Sequence, residues 1–365
     1  MSIGYETAVK ILFLSTPVGP LGSGLGGGVE LTLANIAYAL QQRGHQIHVV
    51  APLGSSLDGV SLVPISGALQ TLAQTQLRGA PIQMPADAVL AAMWDYAGQA
   101  QQEYDVLLNF AYDWLPFYLT PWLDRPVAHL VSMGSLSDAM DGAIAQVLAQ
   151  FPGTVGLHTQ AQADTFPFGA GCRVLQNGFD LSQYTFEPQP GNELAWVGRI
   201  APEKGLEDAI AAAARCCTPL NIFGTISDPG YWASIQQEYP NAPIHYRGFV
   251  ALDELQQGLG QCKALLVTPK WIEAFGNVVI EALACGVPVI AYRRGGPAEL
   301  ICHGQTGWLV EPDSVMGLVE AIARINDINR RTCRQDAEIN YSLSAMGQRV
   351  DAWLSAIVDR SDVTF

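Results

Sequence analysis

Glu273 and Glu281 enclose seven residues in the stretch TPKWIEAFGNVVIEALACGVPVIAY, with Phe275, Gly276 and Asn277 between them. Asn277 is a favoured residue type for a helix N-cap, and residues 278–284 read as a helix that stops at Gly286 before a new strand. Glu281 then lies four residues beyond the cap, one turn down the same face. The unpaired N–H groups and partial positive charge of a helix start attract an anion by about 0.3–1 kcal/mol, and by up to about 2 kcal/mol when partly buried. A phosphate held there leaves Glu281 to accept hydrogen bonds from ribose hydroxyls and Glu273 to face the group beyond the phosphate. Upstream, WVGRIAPEKG sets Arg199 and Lys204 five residues apart in a loop after a strand, two cations suited to a diphosphate. A solvated surface loop and a chance pair of carboxylates are the bland readings of the same residues.

A second cluster sits near the N-terminus. In PVGPLGSGLGGGVELT, Gly22, Gly24 and Gly27 satisfy the dinucleotide fingerprint G-x-G-x-x-G, between an apolar run and a helix-like segment. The fingerprint also needs an acidic residue about twenty positions on, and HQIHVVAPLG offers none. The alternative use of the loop is that Gly26, Gly27 and Gly28 aim backbone N–H groups, at the start of the helix bearing Glu30, toward a distal phosphate.

These residues need strand ends and helix starts to hold them, and the chain supplies both. Residues 9–15 read as a strand. VELTLANIAYALQQRGH puts Val29, Leu33, Ile36, Ala37 and Leu40 on one helical face and stops at Gly44, and QIHVVAP reads as the next strand. Between residues 55 and 100 the pattern weakens into helices and loops. From residue 192 it sharpens, with ELAWVG, LNIFG, IHYRGF, ALLVTP and VPVIAY each followed by a helix-like segment. The alternation predicts an α/β protein of two Rossmann-like, doubly wound parallel-sheet domains facing a central cleft. The expected N-terminal domain spans residues 1–185, completed by a crossover helix at about 340–365, and the expected C-terminal domain spans 186–339. The join falls where Pro188, Pro190 and Gly191 break periodicity.

Length and composition agree with that division. The chain has 365 residues, nearly half of them hydrophobic, enough for two packed cores. The formal net charge is −15, and up to residue 180 the basic residues other than His are Lys10, Arg43, Arg78, Arg125 and Arg173. Phosphate backbones and anionic membranes draw on clustered Lys and Arg, so nucleic-acid binding and strong membrane association are disfavoured. No run of about 18 apolar residues occurs, and no charged start leads into an apolar stretch, so a cytoplasmic protein is expected. The seven cysteines form no CxxC pair or zinc spacing and read as reduced packing residues.

The segments GGGVE, VLQNGFD, VGRIAPEKG and TPKWIEAFGNVVIEALACGVPVIAYRRGGPAELICHGQTGWLVEPD resemble the successive motifs of the family four retaining glycosyltransferases, which have the GT-B fold. The resemblance runs from residue 9 to about 315 and is densest from 172 onward. It implies a nucleoside-diphosphate sugar held mainly by the C-terminal domain, with Arg199 and Lys204 on the diphosphate and Glu281 on the ribose. Glu273 and the backbone of Phe275, Gly276, Asn277 and Val278 would meet the sugar and phosphate, so Glu273, Arg199 and Lys204 are the expected catalytic residues. It also implies a front-face reaction in which the leaving phosphate oxygen takes the acceptor's proton. The chain has no D-x-D motif, so metal-independent transfer is expected, with no metal site and no cofactor beyond the donor substrate. Many relatives carry a histidine after a strand resembling PVAHLVSMG; the matching position here is Ser132 or Met133, His129 lies nearby, and His158 in VGLHTQAQ is a second candidate, with a structural role as the competing reading of both.

The acceptor falls to the N-terminal domain. NFAYDWLPFYLTPW gathers Phe110, Tyr112, Trp114, Phe117, Tyr118 and Trp122 around Asp113, which suits a flat, nitrogen-rich ring, with core packing as the bland alternative. Tyr112, Asp113, Trp114, Ser132 and His158 are the expected acceptor residues. The long N-terminal stretch is also similar to that of the tetrahydrobiopterin glucosyltransferases, which implies UDP-glucose as donor and a reduced pterin as small soluble acceptor. The competing classes are an NAD-dependent oxidoreductase, a GT-B nucleotide-sugar epimerase and a non-catalytic nucleotide-sugar-binding protein.

Overall fold

A computed structural model describes residues 8–71 and 77–361. The chain divides into two compact units, Met1–Gly178 with Leu343–Phe365, and Phe179–Ser342. The division comes earlier than the expected boundary after residue 185, because the start of the connecting segment bonds within the second unit. Phe179 N–H donates to the Tyr341 carbonyl at 2.8 Å, and the Arg334 guanidinium donates to the carbonyls of Leu181 and Tyr184.

In the first unit, β1 (Lys10–Leu14), α1 (Gly28–Gln42), β2 (Gln46–Pro52), β3 (Ser61–Ile65), α2 (Val89–Ala100) and β4 (Val106–Asn109) follow in order. Then come α3 (Trp114–Leu119), β5 (Val127–Leu130), α4 (Asp138–Gln150), β6 (Val155–Leu157), α5 (Gln160–Ala163) and β7 (Arg173–Val174). All seven strands are parallel, in the order β3-β2-β1-β4-β5-β6-β7. The weak stretch of sequence contains β3 and α2. β3 stands at the sheet edge, where Pro64 costs no ladder hydrogen bond and where burial leaves little periodicity.

The second unit runs β8 (Leu194–Val197), α6 (Leu206–Arg215), β9 (Leu220–Phe223), α7 (Pro229–Glu238), β10 (Ile244–Gly248) and α8 (Leu252–Gly260). It continues with β11 (Ala264–Val267), α9 (Asn277–Ala284), β12 (Val289–Tyr292), α10 (Gly296–Leu300), β13 (Gly307–Val310), α11 (Val315–Ala323) and α12 (Arg330–Asn340). Its six strands are parallel, in the order β10-β9-β8-β11-β12-β13. The last helix, α13 (Leu343–Ser361), belongs to the first unit, where Met346, Val350, Trp353, Leu354 and Ile357 pack with Leu33, Ile36 and Leu40 of α1.

Strand order reverses between β1 and β4 in one sheet and between β8 and β11 in the other. At such a reversal the following helices leave on opposite faces and open a crevice at the strands' carboxyl ends. The glycine loop follows β1 and the aromatic stretch follows β4; Arg199 and Lys204 follow β8, and Glu273 follows β11. These four clusters therefore stand at switch points, whereas Ser132 and His158 follow β5 and β6. No described helix is long and apolar enough to cross a membrane.

Candidate active site

In the second unit, the loops after β8 and β11 are tied together by Lys270 N–H to the Glu203 carbonyl at 2.9 Å and by the Thr268 hydroxyl to the Gly205 carbonyl at 2.8 Å. This brings Lys204 Nζ within 2.8 Å of Glu273 Oε1 and 5.5 Å above the Trp271 ring. Arg199 pairs with Glu203 at 2.9 Å. Both cations expected to be open to a diphosphate thus have carboxylate neighbours. The Arg199 pair is half exposed and so contributes little, about 0–1 kcal/mol.

The backbone between Glu273 and α9 is held from behind. Gly296 N–H donates to the Glu273 carbonyl at 2.7 Å, and a Cβ on Gly295, whose φ is +66°, would fall 2.7 Å from Glu273 N. The α9 N-cap is Gly276, with φ +101°, and Asn277 is already the first helical residue. The expected Asn277 cap is therefore corrected: the left-handed turn needed after buried Phe275 selects glycine for the cap, one position earlier. Asn277 and Val278 lie half-buried in the first turn.

Glu281 is half-buried one turn into α9, and the Tyr184 hydroxyl donates to it. Burial pushes its carboxyl up to about 7, with the tyrosine's hydrogen bond opposing the rise. Arg334 sets this pair by donating to the Tyr184 carbonyl at 2.8 Å and to the Ala284 carbonyl at the end of α9 at 2.7 Å. Tyr184 and Arg334 escaped the sequence reading, because a tyrosine in a connecting loop carries no periodicity.

A further network went unread as well. Lys270 Nζ bonds Asp208, and lies 3.2 Å from Asp313 Oδ1; the Tyr292 hydroxyl donates to Asp208 at 2.7 Å; Arg294 bonds Asp313 at 2.6 Å and the Pro269 carbonyl at 2.7 Å. Its members follow β8, β11, β12 and β13, so the network clamps the loop that presents Glu273.

In the first unit the glycine loop has an occupant. The Glu30 carboxylate, 9% exposed, accepts from Gly22 N–H at 2.8 Å, Gly24 N–H at 3.1 Å and Gly26 N–H at 2.5 Å. Gly27 N–H donates to the Gly24 carbonyl at 3.1 Å. The expectation that Gly26 and Gly27 aim N–H groups at a phosphate is corrected: the carboxylate of the third residue of the helix folds the loop around itself. Of the three glycines, Gly28 begins α1 with first-turn geometry, and Gly27 is its N-cap at φ +58° and ψ −136°, a conformation essentially restricted to glycine.

The aromatic stretch after β4 divides in two. Phe110 and Phe117 are core residues, whereas Tyr118 and Trp122 are exposed and Trp114 stacks on Tyr118 with centroids 4.5 Å apart. Asp113 caps α3, its Oδ1 accepting from Leu115 N–H at 3.3 Å, and burial raises its carboxyl pKa. The Tyr112 hydroxyl donates to the Gly134 carbonyl at 3.3 Å, and burial pushes it up to about 12. Ser132 is half-buried in the loop after β5. Arg78 pins that loop by bonding Ser135, Asp138 and Asp141.

The two histidines differ from reactive ones. His129 is fully buried, with Nδ1 3.2 Å from Asn109 Nδ2 and Nε2 2.8 Å from Thr120 Oγ1, stacked on Phe117; burial lowers its pKa to about 3. It is a neutral core residue. His158, 4% exposed at the end of β6, is lowered to about 4 by burial and is neutral as well. Among the described residues, no group of three or more His, Cys, Asp or Glu is placed to hold a metal ion.

The family model for glycosyl transferases group 1 matches residues 181–339, nearly the whole of the second unit. The second unit is therefore similar to a glycosyl transferases group 1 domain. Glycogen synthase of Mycobacterium tuberculosis is 35% identical over 175 residues, covering 44% of this chain and 42% of that enzyme. A sucrose synthase of Solanum tuberosum is 44% identical over 59 residues, 16% of this chain and 7% of that enzyme. The chain thus spans less than half the length of the curated relatives it matches. Solved structures share the fold across the chain. HepE of Anabaena, solved with UDP and glucose, aligns at TM-score 0.73 and 21% identity over 95% of this chain and 100% of its own. Sucrose-phosphate synthase of Thermosynechococcus elongatus aligns at 0.74 and 17% identity over 96% and 100%. With two Rossmann-like parallel-sheet units, the fold is that of the GT-B glycosyltransferases. Within the group 1 domain lie Arg199, Lys204, Glu273 and Glu281, the residues of its switch point.

Proposed function

We propose that the protein is a retaining glycosyltransferase that moves glucose from UDP-glucose to a small soluble acceptor, a reduced pterin such as tetrahydrobiopterin. The observation that carries this reading is the meeting of Lys204 and Glu273, 2.8 Å apart, ahead of the α9 N-terminus and Glu281, all at one switch point of a group 1 domain. A departing diphosphate develops charge, and Lys204, Arg199 and the helix start can stabilise it electrostatically without a metal. Lys204 exchanges its bond to Glu273 for the phosphate, which frees Glu273 for the sugar. Glu281 accepts from the ribose hydroxyls. The leaving phosphate oxygen takes the acceptor's proton, so neither neutral histidine is needed as a base. The UDP and glucose of the HepE complex support the choice of donor, and the half-buried Tyr112, Asp113 and Trp114 support a flat acceptor rich in N–H groups.

The dinucleotide reading of the glycine loop is disfavoured because its amides face Glu30 rather than open space. An epimerase or a non-catalytic binder shares the donor residues and differs only in outcome. The deciding experiment incubates the protein with UDP-glucose and a panel of acceptors while UDP release is followed. Release that depends on the pterin is expected, with full activity retained in EDTA. Acceptor-independent release, release with a different acceptor, or abolition by EDTA would each remove the corresponding part of the reading.

A further inference from the structure

We propose a second binding site in the first unit, a pocket for a small amphipathic monoanion at the amino-terminal edge of the sheet. It lies where β5 and β6 begin, whereas the glycine loop follows the carboxyl end of β1. The cavity has a volume of about 660 Å³ and its walls are Leu123, Pro126, Val127, Phe151, Pro152 and Ile357. A largely apolar cavity of roughly 300–1,000 Å³ with a few fixed polar groups is the usual form of a small-molecule site.

The polar groups define the ligand. Arg125 lines the cavity, and among the described residues its guanidinium makes no hydrogen bond or ion pair, its Nε being buried without an acceptor. A partly buried guanidinium without an acceptor is costly, so the outer N–H groups of Arg125 are open to one anionic or strongly accepting group from the cavity. The other cation, Arg360, is engaged, donating to the Pro152 carbonyl at 2.9 Å. Asp124 and Asp359 also line the cavity, and Asp124 accepts from Gln102 at 2.8 Å. Two exposed carboxylates in the lining with one unpartnered guanidinium favour a single negative charge and disfavour a second, which argues against nucleoside diphosphates. The walls are largely apolar and the Thr120 and Thr154 hydroxyls already donate to the Pro116 and Phe151 carbonyls, so a polyhydroxylated sugar would bury most of its hydroxyls unpaired. What remains is a compact apolar body, aromatic or acyl, carrying one carboxylate or sulfonate that Arg125 receives. The net charge of −15 favours a free molecule over the headgroup of an anionic membrane.

The full-length chain is titrated with 8-anilinonaphthalene-1-sulfonate, following fluorescence, and then with decanoate as competitor. One saturable site is expected, displaced by decanoate, at least tenfold less by decanol, and not by UDP. Arg125→Met keeps the apolar stem and removes no hydrogen bond from Nε, so the variant is expected to melt with the native protein and to bind at least tenfold more weakly. Gln150→Trp, at an exposed lining position, is expected to block the pocket without disturbing the core. Unchanged affinity in both variants, displacement by UDP, or binding only to phosphatidylglycerol vesicles would each overturn the proposal.

Discussion

Glu281 carries a pH signature that separates a ribose-binding carboxylate from a structural one. Burial holds it near 7, far above its ordinary 4.5, and Tyr184 opposes the shift. Between pH 4.5 and 7 the unfolded chain releases this proton while the native state keeps it, so this residue's contribution to stability falls as pH rises through that window. On the proposed donor-site role, ribose hydroxyls would donate to the ionised form, so the sign for binding is opposite, and UDP affinity is expected to rise between pH 6 and 8. Calorimetry across that range checks this. Glu281→Gln should flatten the profile and weaken UDP about tenfold or more, the value of hydrogen bonds to a charged group. Tyr184→Phe should move the midpoint upward, because it removes the hydrogen bond that favours ionisation. A flat profile in the native protein would take Glu281 out of the donor site. The E-x7-E spacing was legible in the sequence, but the tyrosine 97 positions before Glu281 was not, since only the fold brings a connecting loop beneath α9.

At the scale of elements, α1 and its loop form one unit organised by Glu30. Glu30→Ala should free the amides of Gly22, Gly24 and Gly26, and their hydrogen exchange should accelerate at least tenfold while α1 itself stays protected. Unchanged exchange would show that the loop holds its shape by itself. Gly27→Val meets no atom within 4 Å of its Cβ but forces a branched side chain into a glycine conformation. It is expected to cripple transfer and spare UDP binding, and loss of UDP affinity in the folded variant would return the nucleotide site to this loop. The far end of α1 is fixed to α13 by buried Asp351, which bonds Arg43 Nε at 2.5 Å and His45 Nε2 at 3.2 Å. Asp351→Ala strands both partners, and a loss of about 3 kcal/mol in denaturant unfolding is expected. The loop's position between strand and helix was readable from composition. Its occupant was not, because a helix carboxylate and a phosphate make the same demand on a glycine run.

For the whole molecule, the group 1 domain is expected to be the half that nucleotide stabilises. UDP at about 100 times its Kd contributes about 2.7 kcal/mol, which for a unit of this size raises Tm by about 5 °C or more. Scanning calorimetry should show that rise in one transition, and equal shifts with UDP, ADP and NAD would refute a selective site. The sequence by itself determined the two α/β units, most of their strands and the placing of Arg199, Lys204 and Glu273 after strands and of Glu281 in the helix that follows. Period and motif are local properties, and buried parallel strands between helices declare themselves in short runs. Tertiary structure alone decided how those residues are spent: Lys204 on Glu273, Glu30 on the glycine loop, His129 on Asn109 and Thr120, and residues 179–185 on the second unit. Most of these are polar groups wholly or partly buried beside a partner remote in sequence or free to choose among several. Burial obliges such a group to find a partner, but only the packed chain determines which partner is within reach.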